Sequence, residues 1–165
     1  MALIYFDFQH AIMVHDKILA ISGGIGGIKD ENLIISPLAH IENDDYYTTF
    51  EEKLTHLVYT FNKSHGFSDG NKRTSIALGA FFLVLNGLDV FVDKFIIEME
   101  NIAVAVADNL INKPMLERII FSLINEEEFS EVLKVEILDA LTKVIPDPIG
   151  DPYIPQGPQF FLDLF

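Results

Sequence analysis

LTHLVYTFNKSHGFSDGNKRTSIALGAFFLVLNG, residues 54–87, decides the fold. Leu54, Leu57, Val58 and Phe61 follow i, i+3, i+4, i+7, the period of a helix that buries one face. The pattern stops at Ser64-His65-Gly66. Beyond a short polar loop, Thr74 to Leu85 is apolar on nearly all sides, which predicts a central helix enclosed by its neighbours. Asn86-Gly87 ends it, since both residues tolerate the left-handed conformation that closes a helix. Apolar helices joined by a short polar loop predict an all-α bundle.

Working outward, the helical period holds on both sides. Ile4, Phe8, Ala11, Ile12, His15 and Leu19 fall on one face of a first helix, stopped by Ser22-Gly23-Gly24. Asp30 is an N-cap for a short helix containing Leu33, Ile34 and, after Pro37, Leu38 and Ile41. The polar stretch Glu42 to Thr49 reads as a loop or, because tyrosines sit inside it, a short β-hairpin flap. Leu88 to Val92 reads as one short strand. Helices follow from about Lys94 to Asn109 and from Pro114 to Asn125, the second with proline at the tolerated first position. Glu126 to Glu128 is a solvated helix start, and Phe129, Leu133, Ile137 and Leu141 form a last amphipathic helix. From Pro146 the chain carries five of its seven prolines and ends Phe160-Phe161-Leu162-Asp163-Leu164-Phe165. The proline-dense part cannot be helical. It is expected to pack as an extended arm or to bind something through its aromatic end.

Composition narrows the function. The 165 residues suit one domain, and 50% hydrophobic with 22% charged residues is ordinary for a globular chain. With 25 acidic against 11 basic side chains the formal charge is −14, which argues against broad binding to nucleic-acid phosphates or anionic lipid. There is no cysteine, so disulfides, a thiol nucleophile and thiolate metal sites are excluded. The opening MALIYFDFQH lacks the basic region of a signal peptide, and the longest apolar run, Ile76 to Leu85, is too short to span a bilayer. A cytoplasmic protein is expected, with neither nucleic acid nor membrane as partner.

The chemistry concentrates in His65-Gly66-Phe67-Ser68-Asp69-Gly70-Asn71-Lys72-Arg73-Thr74. The loop feeds the N-terminus of a long buried helix, where free N–H groups and the positive dipole end converge. Gly70 lets backbone approach an anion, and Lys72 and Arg73 add charge, so the loop reads as a phosphate site. Asp69 stands beside it, and one carboxylate plus phosphate oxygens is a usual way to hold Mg²⁺. His65 lies at the C-terminal end of the preceding helix, whose negative dipole end favours the imidazolium and so suits a base. Phe67, apolar in a polar loop, is expected to plug into the core and pin the loop. Any one of these residues alone is an ordinary interhelical connection, and Asp69-Gly70-Asn71 by itself is a turn signal. Their conjunction is what points to a site.

HGFSDGNKRT closely resembles the signature of the Fic/Doc superfamily, in which His, Phe, an acidic residue, Gly or Ala, Asn, then Gly or Lys, then Arg recur at this spacing. Upstream, His15-Asp16, Gly23-Gly24 and Gly26-Gly27-Ile28-Lys29-Asp30 look like the opening of the Doc (death-on-curing) branch. Downstream, the apolar helix ending Leu85-Asn86-Gly87 is similar too. The resemblance covers residues 1–124, leaving 125–165 as a C-terminal helix and a proline-rich extension of unassigned role, expected to pack on the bundle or at a subunit interface of a homo-oligomer. It implies a Fic/Doc-type helical bundle using ATP and Mg²⁺. It implies His65 as general base for a target hydroxyl and Asp69 as the residue on the nucleotide's Mg²⁺. Gly70, Asn71 and Arg73 would shape the anion hole, and Phe67 and Lys72 would complete the nucleotide site.

Lys72 separates the branches. AMP-transferring Fic enzymes usually have glycine there and a second arginine three residues after the first, where this chain has Ile76. Both departures are Doc-like. They imply transfer of the ATP γ-phosphate to a threonine or serine of a protein such as elongation factor Tu, by a toxin restrained by a small antitoxin. Gly70 departs the other way, because Doc has alanine there, so AMP transfer stands as the alternative, with a catalytically silent nucleotide- or partner-binding module as the non-enzyme reading. The inhibitory Ser/Thr-x-x-x-Glu-Gly/Asn element of many Fic proteins has no match; Thr48 to Glu52 and Ser122 to Glu126 come nearest. Gly23 to Gly27 reads as a helix stop and turn rather than a phosphate loop, since no Gly-Lys-Ser/Thr follows. His10, His15, His40 and His56 lack zinc-site spacing. His15 reads as a satisfied core residue or one that supports the site from behind.

Overall fold

The computed structural model describes residues 2–145. The expected proline-rich arm with its aromatic end lies outside them. Among the described residues the chain forms α1 (Phe8–Ser22), α2 (Asn32–Glu42), α3 (Phe50–Lys63), α4 (Asn71–Leu85), α5 (Val92–Ala107), α6 (Lys113–Asn125) and α7 (Glu131–Thr142), and the all-α expectation holds. None of these helices is long and apolar enough to cross a membrane.

Side-chain chemistry sets the helix starts. Asp7, Asn112 and Ser130 each accept a backbone N–H of the first turn of α1, α6 and α7. Helix α3 opens on a reciprocal capping box between Thr49 and Glu52. The cap at Asp7 explains why α1 begins at Phe8, leaving Ile4 in an arm before it. That arm is stitched to the far end of α4: Ile4 N–H donates to Asn86 Oδ1 at 2.8 Å, and Asn86 Nδ2 donates to Ile4 O at 3.0 Å. Likewise the cap at Ser130 leaves Phe129 ahead of α7.

Helix α4 is the axis. Every residue from Arg73 to Leu83 is buried, with α3, α5 and α1 packed around it. Gly79 lets α3 and α5 come close: a Cβ there would meet Phe95 Cζ at 2.8 Å and Val58 Cγ2 at 2.9 Å. Helix α7 packs on α5 through Leu133, Ile137 and Ala140.

Three local expectations are corrected. Glu42 ends α2, and residues 43–49 form turns and no hairpin flap, because their donors are consumed locally. Tyr46 and Tyr47 N–H bond Asn43 O, and Thr48 and Thr49 N–H bond the Glu52 carboxylate. Residues 88–92 form a 3-10 turn, Asp89–Phe91, running straight into α5, since no neighbouring strand exists among the described residues to pair with an extended segment. Glu31 rather than Asp30 occupies the cap position of α2, although Asp30 Oδ1 still accepts the Asn32 N–H at 2.9 Å.

Candidate active site

The signature loop joins α3 to α4, and each of its residues has a definite place. His65 follows the end of α3, exposed, with φ +54°. That left-handed conformation is uncommon for a residue with a side chain, and the side chain stands exposed. Phe67 turns the other way and is 1% exposed. Its ring stacks on His15 at 3.8 Å and 5°, with Phe61 beyond it at 6.4 Å. The expectation that Phe67 pins the loop holds, and its ring contributes by packing.

Asn71 opens α4 and spends its amide on the loop. Its Nδ2 donates to Phe67 O at 3.0 Å, and its Oδ1 accepts Phe67 N–H at 3.1 Å. Gly70 is the N-cap with φ +75°, a conformation glycine reaches without strain. The first bond inside the helix runs from Thr74 N–H to Gly70 O, so the helix itself leaves the preceding amides of its first turn unused, at the positive end of its dipole. Lys72 is half-buried in that turn. Arg73 is 5% exposed and reaches across to α1, donating from Nη1 to Ser22 Oγ at 2.5 Å and Gly23 O at 2.8 Å.

Asp69 stands between these groups. Its Oδ2 accepts the Ile25 N–H at 2.9 Å and its Oδ1 the Gly70 N–H at 2.8 Å, with Arg73 Nη2 4.0 Å away. The Ile25 amide foremost, then the Gly70 amide and the Arg73 charge, hold the carboxyl below its usual range against the opposing cost of burial. It is ionised at neutral pH and 41% exposed. Each oxygen keeps a second lone pair, so the carboxylate fits Mg²⁺ carried mainly by phosphate oxygens and water. Among the described residues no group of three or more His, Asp or Glu can hold a metal by itself.

Sequence reasoning misses the partner segment. Gly23 does end α1, as expected, but the stretch after it lies along the signature loop. Ile28 forms an antiparallel bridge with Phe67, Ser68 N–H bonds Gly27 O, and Lys29 and Asp30 N–H bond Gly66 O. Gly24 has φ +130°, and a Cβ there would meet Asp69 Oδ2 at 2.7 Å and Leu19 Cδ2 at 2.9 Å. The glycines signal a turn. Which loop they lie against is a contact across some 40 residues that periodicity cannot show. His15 is 1% exposed, as its core reading expects; its bond to the Asp69 carbonyl, 2.8 Å from Nε2, has no signal in the sequence.

One loop thus carries an exposed imidazole, an ionised carboxylate and the start of a helix whose first amides the helix itself does not use. It can bind phosphate oxygens and take a proton from a hydroxyl brought beside them. Comparison with known proteins finds a family over the same part of the chain. The Fic/DOC family matches residues 5–83, from the arm before α1 through nearly all of α4. Protein kinase doc of Escherichia phage P1 is 33% identical over 87 residues, 50% of this chain and 68% of the phage protein.

Proposed function

The chain belongs to the Fic/DOC family, and on that premise we propose that it is a Doc-like protein phosphotransferase moving the ATP γ-phosphate to a threonine or serine hydroxyl of a cytosolic protein. The observation that carries this is the signature loop, in which exposed His65 is followed by the ionised Asp69 and the N-terminus of α4. Gly70 and the first turn of α4 would hold the triphosphate, and Lys72 would add a point charge there. Asp69 is the residue that would hold Mg²⁺, which supplies charge neutralisation between the phosphates. The acceptor oxygen bonds to the γ-phosphorus, the bond to the β–γ bridging oxygen breaks, ADP leaves, and the hydroxyl proton passes to His65.

Two further observations support phosphoryl over adenylyl transfer. Ile76, where AMP-transferring relatives carry a second arginine, is buried in the core, so that place offers no cation to a nucleotide. The phage relative is named a protein kinase. Gly70 favours the second reading, AMP transfer. A Cβ there would meet Leu19 Cδ2 at 3.0 Å at a φ of +75°, so the glycine suits this backbone, and the second reading rests on the departure from the Doc pattern at this one position. Elongation factor Tu is the acceptor the family resemblance suggests, and a small antitoxin the corresponding restraint.

The test is to incubate the chain with MgATP and purified elongation factor Tu and weigh the modified peptide. Added phosphate supports the proposal; an added adenylate replaces it with the second reading. Transfer that persists undiminished in His65→Ala removes His65 as base, and no transfer to any protein of a cell extract leaves a binding module.

A further inference from the structure

We propose that His15, on α1, is a positioning residue for the site, fixing the Asp69–Gly70 peptide on which both the carboxylate and the start of α4 depend. The inference rests on the proposed function, in which Asp69 and the α4 N-terminus take the nucleotide's phosphates. It concerns a residue 54 positions away in sequence that touches no reacting atom.

The geometry gives His15 two grips on one short stretch. Its ring lies flat on Phe67 at 3.8 Å, and its Nε2 lies 2.8 Å from the carbonyl oxygen of Asp69. A carbonyl only accepts, so Nε2 carries the proton. On the other side Nδ1 faces Asp16 Oδ1 at 3.3 Å. Between the two gripped residues Ser68 is exposed. The loop is thus held at Phe67 and Asp69 while the residue between them faces solvent.

The held peptide matters because α4 starts from it. The Asp69–Gly70 peptide presents its carbonyl to His15 and its N–H to the carboxylate of Asp69, at 2.8 Å. Rotating that peptide would break both bonds and carry Gly70 out of the φ of +75° at which the helix begins. Stacking alone would leave this rotation open, because Phe67 lies on the near side of Ser68. The N–H to the Asp69 carbonyl is what closes it.

Two substitutions separate the grips. His15→Phe keeps a flat ring against Phe67 and removes the donor; His15→Gln keeps an N–H donor and removes the stack. Amide hydrogen exchange without nucleotide is the primary readout. In His15→Phe the amides of Phe67, Ser68 and Gly70 exchange about tenfold faster, the effect of losing one such bond. In the transfer assay the Mg²⁺ concentration for half-maximal rate rises by a similar factor. His15→Gln restores most of both. Unchanged exchange in His15→Phe overturns the proposal, as does equal loss in the two variants, which would make His15 a packing residue only. Should His15→Phe fail to fold, the ring nitrogens of the wild-type chain decide: nitrogen NMR must show Nε2 protonated and slow to exchange, and a bare Nε2 overturns the assignment. Exchange and ring protonation are read on the free chain. If even the wild type transfers no phosphate, the proposed function fails and the positioning role stands.

Discussion

Helix α3 carries a histidine at mid-length and is followed by another just past its end, and the two live in opposite worlds. His56 is 8% exposed. Its Nδ1 lies 2.7 Å from the Tyr47 hydroxyl and 2.9 Å from Lys113 Nζ. Burial first, then the Lys113 charge and the nearby His40, hold its pKa down to about 4. Nδ1 serves as an acceptor, and Nε2 finds no partner among the described residues. The same half of the helix spends its other polar groups internally: Glu52 on the cap, and Lys53 on Ile41 O at 2.6 Å and Asp44 at 2.8 Å. Past the C-terminal end, by contrast, the backbone of Gly66, Phe67, Ser68 and Asp69 is tied to residues 27–30, Asn71 and His15, while His65 is exposed. The difference teaches that a polar cluster is a site only when fixed backbone leaves a titratable group accessible. The Tyr47–His56–Lys113 group is as rich chemically, and it reads as architecture.

The sharpest way to break the comparison is to remove each histidine's chemistry in turn. His65→Ala should lower transfer by roughly 10²–10⁴-fold, the usual worth of a general base, with little change in thermal midpoint because the side chain is exposed. A large fall in the midpoint would mean that His65 is structural after all. His56 should show itself in stability instead. The unfolded chain protonates this histidine near pH 6.5, the folded chain only near pH 4. The unfolded state therefore binds more protons between those values, and folding stability falls as pH drops through them, by up to about 3 kcal/mol. Urea titrations at pH 7 and pH 4.5 measure it, and His56→Gln should flatten the slope across that window.

Smaller perturbations sharpen the same contrast. Gly24→Ala must place a methyl group against the Asp69 carboxylate at a backbone angle alanine avoids. It should cost about 2 kcal/mol of stability and reduce transfer further than stability alone explains, by comparison with activity at lower temperature. Thr49→Ala, at the start of α3, should cost about 1 kcal/mol and leave the transfer rate at saturating substrates unchanged. If Thr49→Ala altered the rate, the two halves of α3 would not be independent.

What can be read from sequence tracks the range of the forces involved. The periods of α3 and α4, the stop at Gly23 and the proline at the start of α6 are local, and each appears where expected. The signature loop is legible because its residues are contiguous. The stack of His15 on Phe67, the reach of Arg73 to Ser22 and the seat of Asp69 on the Ile25 amide join residues 44 to 52 positions apart; no period or cap encodes such pairings. The predicted strand at 88–92 fails for the complementary reason. Its β-branched residues suit an extended chain, but only a partner strand would have made that conformation the better one.

Helix α4 is buttoned at both ends to the flanks of α1, by Asn86 to Ile4 and by Arg73 to Ser22 and Gly23. A fragment starting at residue 30 would retain all ten letters of the signature and two of the helices around it, yet forfeit both fastenings and the amide that seats Asp69. Owning the motif and owning its shape are separable properties of this chain, and the residues before position 30 decide the second.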